Sequence, residues 1–183
     1  DVAILFMDVD RLKDVNDTVG HEIGDALLAQ VANRISHATR PSDVVARIGG
    51  DEFVVLCDGN IDEHTAVDLA ERIRHSLSGR IMVHGVEVEL SVSVGVAVGL
   101  PAHLEGVSCQ EAAIELLRNA DIAMYQAKRR GRSRSELYTD AMRAGIPTAR
   151  HNATHRWAKS RHTPWPPSSV SMAVSRGPLL PSS

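Results

Sequence analysis

Two adjacent carboxylates stand at the start of an apolar run in the segment ARIGGDEFVVL, residues 46–56. Asp51 and Glu52 follow a pair of glycines directly and precede residues whose pattern predicts a strand. Neighbouring negative charges repel each other, so they need either solvent or a cation close by. For this pair alone, solvated charges at a hairpin tip are the simpler interpretation.

A third carboxylate, Asp8, ends the run VAILFMD, in which every preceding residue is apolar. Such a run predicts a strand buried on both faces that ends at Asp8, with Asp10 on the same face two residues later. If the hairpin that carries Asp51 pairs with this strand, Asp8 and Asp51 converge at one sheet edge. Hard oxygen ligands with room for water and phosphate suit Mg²⁺, with Mn²⁺ as an alternative. The pattern therefore predicts a metal site for nucleotide chemistry.

Basic residues that could bind phosphate follow two of the predicted elements. Lys13 lies in a predicted loop just after the Asp8 strand, and Lys128 and Arg132 lie at and beyond the end of a predicted helix. Cations also suit the carboxyl end of a helix through its dipole, so Lys128 and Arg132 have a structural explanation as well. Together the three could hold the triphosphate oxygens that a metal leaves uncovered.

Two residues that could read a base flank the glycine-bearing turn predicted for NDTVGHEIGD. The carboxylate of Asp25 can accept hydrogen bonds from N1–H and the 2-amino group of guanine. Adenine offers an acceptor at N1 and no amino group there, so it would leave a buried Asp unpaired. The alternatives are a turn-forming role for Asn16 and a first-turn helix acid for Asp25.

Hydrophobic periodicity predicts the elements that must position these residues. Amphipathic helices are predicted for Glu22–Ala38, Asp62–Leu77 and Gln110–Arg130. Because a Gly-Gly pair readily adopts positive φ angles, a hairpin is predicted between SDVVARI and EFVVLC. Residues 80–99 predict two strands and SELYT a last one. The order β-α-β-β-α-β-β-α-β indicates an α+β domain with a mainly antiparallel sheet.

The composition excludes some classes of function. Hydrophobic residues make up 43% of the 183 residues and charged residues 23%, as in globular proteins. The formal net charge of −3 provides no broad basic field, which argues against nucleic acid as a partner. Cys57 and Cys109 form no metal-binding spacing, which favours a reduced, cytoplasmic setting. No segment is long and apolar enough to predict a membrane span.

The chain changes character after residue 140. Residues 141–183 contain no Asp or Glu, and they hold both tryptophans and most of the prolines without any helical or strand period. We expect one domain over residues 1–140 and a disordered tail over residues 141–183. A basic interaction arm is the alternative for the tail.

The segment GGDEF, residues 49–53, matches the signature of the GGDEF family, the diguanylate cyclases. DVDRLKDVND, GHEIGD and ADIAMYQAKRRGRSR resemble the family's other blocks in order and spacing, so the resemblance covers roughly residues 2–138. It implies a palm-like sheet flanked by helices, similar to nucleotidyl cyclases. It also implies that two GTP are condensed into cyclic di-GMP and two pyrophosphates by a homodimer, since each domain would hold one GTP.

The resemblance assigns roles to single residues. Those that would hold the metal and activate the ribose 3′-hydroxyl are Asp8, the Val9 carbonyl, Asp51 and Glu52. Those that would bind the triphosphate are Lys13, which also belongs to the catalytic set, Lys128 and Arg132. Those that would bind the rest of the nucleotide are Asn16, His21, Asp25, Gly49 and Gly50.

An RxxD segment, Arg40 to Asp43, precedes Gly49 with five residues between them. At this distance it resembles the family's inhibitory product site, although Arg40 and Asp43 could also be a surface pair at a helix end. The family's segment before the first strand, and any sensory or dimerising domain, are expected upstream of Asp1.

Two other functions stay open at this stage. The chain could be a non-catalytic or weakly active module that binds GTP or cyclic di-GMP and regulates a partner. It could also be a purine-nucleotide cyclase that acts on a single nucleotide. The intact acidic residues favour an active diguanylate cyclase.

Overall fold

The computed structural model describes residues 1–59, 61–99 and 108–143. Along the chain the elements are β1 (Val2–Val9), α1 (Leu12–Val19), α2 (His21–Ala38), β2 (Val44–Arg47), β3 (Glu52–Asp58), α3 (Glu63–Ser76), β4 (Gly79–Val83), β5 (Val86–Leu90), β6 (Val92–Gly99), α4 (Cys109–Arg129), β7 (Ser135–Leu137) and α5 (Asp140–Arg143). No helix within the described ranges is long and apolar enough to cross a membrane.

The central sheet has five strands in the order β2-β3-β1-β6-β7, and all its pairs are antiparallel except β6 with β7. The predicted α+β class with a mainly antiparallel sheet is therefore confirmed. The strand β1 lies at the centre, between β3 and β6, so its two faces are covered and its apolar run is explained.

Helices cover both faces of this sheet. Leu5 and Met7 of β1 join the larger core cluster, to which α2 and α3 contribute Val31 and Ile73. Phe6 belongs to the smaller cluster on the other face, with side chains of α4. A Cβ atom at Gly95 in β6 would collide with the α4 backbone, so α4 packs directly on the sheet. This close contact fixes the carboxyl end of α4 against the end of β1.

The prediction of two strands over residues 80–99 was wrong, because this segment forms three. The strands β4 and β5 form a separate two-stranded sheet, and β6 belongs to the central sheet. The alternating pattern VEVELSVSVGV runs without a break through Ser91, so periodicity alone does not reveal a strand boundary there. Ser91 lies between β5 and β6, where its carbonyl accepts the N–H of Asp10 and its hydroxyl donates to the Asp10 carboxylate.

The segment after Asp10 is helical, where the sequence predicts a loop and a turn. Lys13 and Asn16 lie on α1, which begins after Arg11 in a left-handed conformation with φ of 58°. The polar residues of this segment favour turns, but Leu12 is buried and Val15 packs against the core one turn later. That apolar spacing stabilises the short helix against α2.

The three long helices match their predicted ranges to within one residue at each end. At α3 the side chain of Asp62 accepts a hydrogen bond from the Thr65 N–H, and at α4 Ser108 and Glu111 form a capping box. The short helix α5 crosses the boundary expected at residue 140, and residues 144–183 of the expected tail lie outside the described residues.

Candidate active site

The GGDEF hairpin and the end of β1 are hydrogen-bonded to each other. The Ile48 N–H donates to the Glu52 carbonyl across a loop of Gly49 to Asp51, and the Val9 N–H donates to the Asp51 carbonyl, both at 3.0 Å. In the β1–β3 ladder Asp8 stands directly opposite Glu52. This register brings Asp8 and the acidic pair to one edge of the sheet, as the sequence predicted.

Asp8 is buried, and its Oδ2 atom lies 2.6 Å from Nζ of Lys128 on the last turn of α4. Burial raises the pKa of Asp8 to about 6, against the lowering effect of Lys128, and the carboxylates of Asp51 and Glu52 add to the rise. Lys128 thus only partly compensates an excess of negative charge at this edge.

That charge excess fits a divalent cation. Within the described ranges, no three His, Cys, Asp or Glu side chains cluster closely enough to hold a metal by themselves. Oxygen ligands from Asp8 and Asp51 can be supplemented by a backbone carbonyl, water and phosphate. The Val9 carbonyl is suited to this, because in a strand it lies on the same side as the Val9 N–H, which faces the hairpin.

The two hairpin glycines act differently from the prediction, because neither has a positive φ angle. A Cβ atom at Gly49 would lie 2.6 Å from the Glu52 carboxylate, whereas one at Gly50 would meet nothing within 4 Å. Gly49 therefore makes room for Glu52, and Gly50 leaves the tip open to an approaching molecule. The guanidinium of Arg47 donates to the carbonyls of both glycines and stiffens the tip.

The three cations expected to bind phosphate lie on separate elements around this edge. Lys13 is exposed on the first turn of α1, Lys128 points to Asp8, and Arg132 is exposed in the turn between α4 and β7. Arg132 and Ser133 in that turn have φ of 63° and 49°, a left-handed conformation that costs about 1–2 kcal/mol for each non-glycine residue. Of the three cations, Lys128 forms an ion pair with a carboxylate of the acidic edge.

The residues expected to bind guanine lie on the helix pair α1–α2. Asn16 is half-buried on α1 against Gly24 of α2, where a Cβ atom would collide with its side-chain oxygen. This Oδ1 atom is buried and lacks a hydrogen-bond partner within the described ranges. Asp25 follows Gly24 directly and is exposed, and His21 is the exposed first residue of α2. The exposed Asp25 carboxylate can accept hydrogen bonds from a ligand that presents N–H donors, whereas the Asn16 oxygen is packed against Gly24.

The RxxD segment forms a compact turn at the other end of the hairpin. The Arg40 N–H donates to the Asp43 carboxylate at 2.8 Å, and the Asp43 N–H donates to the Arg40 carbonyl at 3.0 Å. Both residues line a cavity of about 160 Å³ that also includes Cys57 and Arg72. Cys57 lies five residues from Glu52 along β3, which places the cavity about 15–20 Å from the acidic edge.

The sequence analysis did not select three residues that lie near these sites: Arg47, Arg72 and Asp121. Arg47 caps the hairpin tip, and Arg72 brings a second guanidinium to the RxxD cavity from α3. Burial, reinforced by the charge of Glu52, raises the pKa of Asp121 on α4 to about 6. Asp121 stands seven residues before Lys128, so the helical period could have placed both on one face of α4.

Fold and acidic edge together define a palm-like α+β domain of the nucleotidyl cyclase type, and the comparisons with known proteins agree with that class. Residues 1–134 match the family model described as diguanylate cyclase, GGDEF domain. The chain belongs to the GGDEF family. The predicted resemblance is thereby confirmed.

Individual relatives give the extent of the similarity. The chain is 40% identical over 146 residues to the bifunctional diguanylate cyclase/cyclic di-GMP phosphodiesterase MucR of Pseudomonas aeruginosa, covering 78% of this chain and 20% of MucR. It is 39% identical over 137 residues to the diguanylate cyclase TpbB of the same species, covering 74% and 30%. The chain thus spans between a fifth and a third of the length of these relatives.

Solved structures agree with the fold of the chain. The GGDEF domain of TpbB superposes with a TM-score of 0.69 at 39% identity, covering 78% of this chain and 80% of that one. The GGDEF domain of DgcB from Caulobacter crescentus, solved in complex with c-di-GMP, gives a TM-score of 0.65 at 28% identity, covering 74% and 77%.

Proposed function

We propose that the chain is a diguanylate cyclase, which condenses two GTP into cyclic di-GMP and two pyrophosphates. The observation that carries the proposal is the register of β1 and β3. It brings Asp8, Asp51 and Glu52 to one edge, with Lys128 bonded to Asp8. An acidic edge bordered by cations suits phosphoryl transfer, which depends on positioning and charge stabilisation.

The chain's own residues divide the work. Asp8, Asp51 and the Val9 carbonyl would hold Mg²⁺, for which Mn²⁺ could substitute, and Glu52 would support that site. When bound, the metal lowers the pKa of the ribose 3′-hydroxyl and offsets charge on the α-phosphate. Asp51 assists removal of the 3′-hydroxyl proton. Lys13, Lys128 and Arg132 bind triphosphate oxygens.

The proposed reaction consists of two equivalent displacements at phosphorus. Each 3′-oxygen attacks the α-phosphorus of the other GTP, the bond from that phosphorus to the bridging oxygen breaks, and pyrophosphate leaves. Because one domain holds one GTP, two domains must face each other across a two-fold axis. We therefore propose a homodimer as the catalytic form and the cytoplasm, which holds GTP, as its location.

Guanine binding is proposed for the α1–α2 helix pair. The side-chain oxygen of Asn16 lies against Gly24 of α2 and has no hydrogen-bond partner among the described residues, and Asp25, the residue after Gly24, offers an exposed carboxylate. Both accept hydrogen bonds, as the guanine edge with its two kinds of N–H donor requires. His21 at the start of α2 contacts the same nucleotide in this proposal. Gly50 leaves room for it at the hairpin tip.

Product inhibition is proposed for the RxxD cavity. Arg40 and Arg72 present two guanidinium groups there, and guanidinium groups bind phosphates and stack on bases. Asp43 adds a carboxylate able to accept from guanine. This cavity also favours a second candidate function, in which the chain is a weakly active receptor for cyclic di-GMP that regulates a partner.

One experiment distinguishes a diguanylate cyclase from a cyclic di-GMP receptor and from a cyclase that acts on a single nucleotide. Purified protein is mixed with GTP and Mg²⁺, and separately with ATP and Mg²⁺, and the products are identified by mass. Cyclic di-GMP and pyrophosphate in a 1:2 ratio from GTP alone are expected. Binding of GTP or cyclic di-GMP without turnover supports the receptor, and a cyclic mononucleotide from either substrate contradicts the proposal.

A further inference from the structure

The turn between α4 and β7 is held in a conformation that its residues do not favour. Gly131, Arg132 and Ser133 have φ of 113°, 63° and 49° in succession. Gly131 adopts such an angle freely, but Arg132 and Ser133 do so at a cost in free energy. Residues in these regions persist only where the surrounding structure holds them in place.

Two charged side chains from other elements hold Ser133 by its backbone. The Ser133 N–H donates to Oδ2 of Asp10 at 3.2 Å, and Nη1 of Arg74 donates to the Ser133 carbonyl at 3.4 Å. Both backbone groups of one left-handed residue are thus bonded to side chains that lie far from it in the sequence.

Each of these partners is itself fixed. Asp10 is 6% exposed and accepts the hydroxyls of Ser91 and Ser93 at 2.9 and 2.8 Å. Arg74 donates twice to the Glu71 carboxylate, at 3.0 and 2.8 Å. Glu71 also accepts the Ser135 hydroxyl at the start of β7 at 2.5 Å. The contacts therefore join the segment directly after β1 with α3, β6 and β7 around the turn.

The turn carries Arg132, whose side chain is exposed. Asp10, which bonds to the turn, stands two residues after Asp8 of the acidic edge. Both residues therefore lie at the same end of β1. We propose that Asp10 and Arg74 are positioning residues for nucleotide binding. They hold the left-handed turn so that Arg132 keeps a fixed place relative to Asp8. This inference rests on the proposed function, since it takes Arg132 as a ligand of the triphosphate.

A purely structural role for Arg74 makes a different prediction. If Arg74 only stabilised the fold, its loss would lower the melting temperature, and any effect on nucleotide affinity would not depend on Arg132. If it acts through Arg132, its effect on affinity disappears once Arg132 has been removed. A double-mutant cycle measures this dependence.

The experiment measures binding of guanosine 5′-(α,β-methylene)triphosphate with Mg²⁺ by calorimetry, so turnover is not needed. Arg74→Met and Arg132→Ala are each expected to weaken binding about tenfold, the effect of one hydrogen bond to a charged group. In the Arg132→Ala background, Arg74→Met should change affinity by less than about twofold. Arg80→Met is the matched control, because Arg80 is exposed on β4 with its ion pair to Glu87 at the surface.

A second variant makes the test independent of fold stability. Ser133→Gly adopts the left-handed conformation without strain, so adding it to Arg74→Met should restore affinity to within about threefold of the unsubstituted protein. Additive losses in the cycle, or Ser133→Gly without any restoring effect, overturn the positioning role. An unsubstituted protein that does not bind the analogue contradicts the proposed function itself, which is a separate outcome.

Discussion

Nζ of Lys128 lies 2.6 Å from Oδ2 of Asp8, although the two residues belong to the two ends of the described chain. The pair joins the carboxylate proposed to hold a metal to a cation proposed to hold phosphate. Burial nevertheless raises the pKa of Asp8 to about 6, from 3.8, because the lysine does not fully offset desolvation and the charges of Asp51 and Glu52. The acidic edge is therefore costly to the fold without a further cation.

The first prediction concerns stability against pH. Because the folded pKa of Asp8 lies above its unfolded value, the stability that it contributes is complete below about pH 4 and is lost as pH rises through about 6. Asp8→Asn stays neutral, so it should raise the free energy of unfolding in EDTA at pH 7.5. The rise in the pKa of Asp8, which already includes the opposing effect of Lys128, corresponds to a gain of at most roughly 3 kcal/mol.

Urea denaturation of both proteins at pH 7.5 and pH 4.5 measures this difference. A smaller gain is expected at the lower pH, where Asp8 is largely protonated in the folded protein. A gain of equal size at both pH values, or a loss at pH 7.5, would show that Asp8 is not held under electrostatic strain.

Base selectivity is the second prediction. Asp25→Ala removes an exposed carboxylate proposed to accept from guanine, so GTP affinity should fall about tenfold while the melting temperature hardly changes. Asp14→Ala, which removes an exposed carboxylate from α1, is the matched control and should retain affinity. Calorimetric titrations with GTP and ATP decide the matter, and equal affinity of the unsubstituted protein for both nucleotides would refute the guanine assignment.

The RxxD cavity supports the third prediction. Arg40→Ala removes a guanidinium from the cavity wall, so binding of cyclic di-GMP there should weaken at least about tenfold. Progress curves should then lose the slowing that accompanies product accumulation. Arg72→Ala should have the same effect, since Arg72 lines the same cavity. Unchanged slowing in both variants would place any inhibition elsewhere.

The fourth prediction follows from the need for two half-sites. A weak encounter dimer makes the specific activity rise with protein concentration, because pairing then limits the rate. Fusing a dimerising coiled coil before Asp1 should raise activity at low concentration. Assays across a wide dilution series test this. High and flat specific activity means that this chain already dimerises tightly or that one domain suffices.

Some features of the fold could be predicted from the sequence because they depend on local pattern. The apolar run before Asp8 predicts a central strand, and the helical periods predict α2, α3 and α4 to within one residue. Local pattern failed at α1, where turn-forming residues are overridden by packing of Leu12 and Val15 against the core. It also failed at Ser91, which separates β5 from β6 and so divides two sheets although the alternating pattern continues through it.

In the candidate site, too, some residues could be predicted from the sequence and others depend on tertiary packing. Motif order indicated Asp8, Asp51 and Lys128, and the register places them together. The roles of Arg74 and Arg72 could not be predicted, because α3 meets its partners only through tertiary packing. Arg74 is 59 residues from Ser133 in the chain, and no periodicity connects them.

The central claim is that the carboxylates at this edge carry the condensation of GTP, and the fifth prediction tests it most directly. Asp51→Asn keeps the size of the side chain and removes its charge, so cyclic di-GMP formation should fall at least about 10³-fold while the melting temperature hardly changes. Glu89→Gln, which neutralises an exposed acid on β5 outside the central sheet, is the control and should retain activity. Product is measured by mass spectrometry from GTP and Mg²⁺ for all three proteins. Near-normal formation of cyclic di-GMP by folded Asp51→Asn protein would contradict the claim.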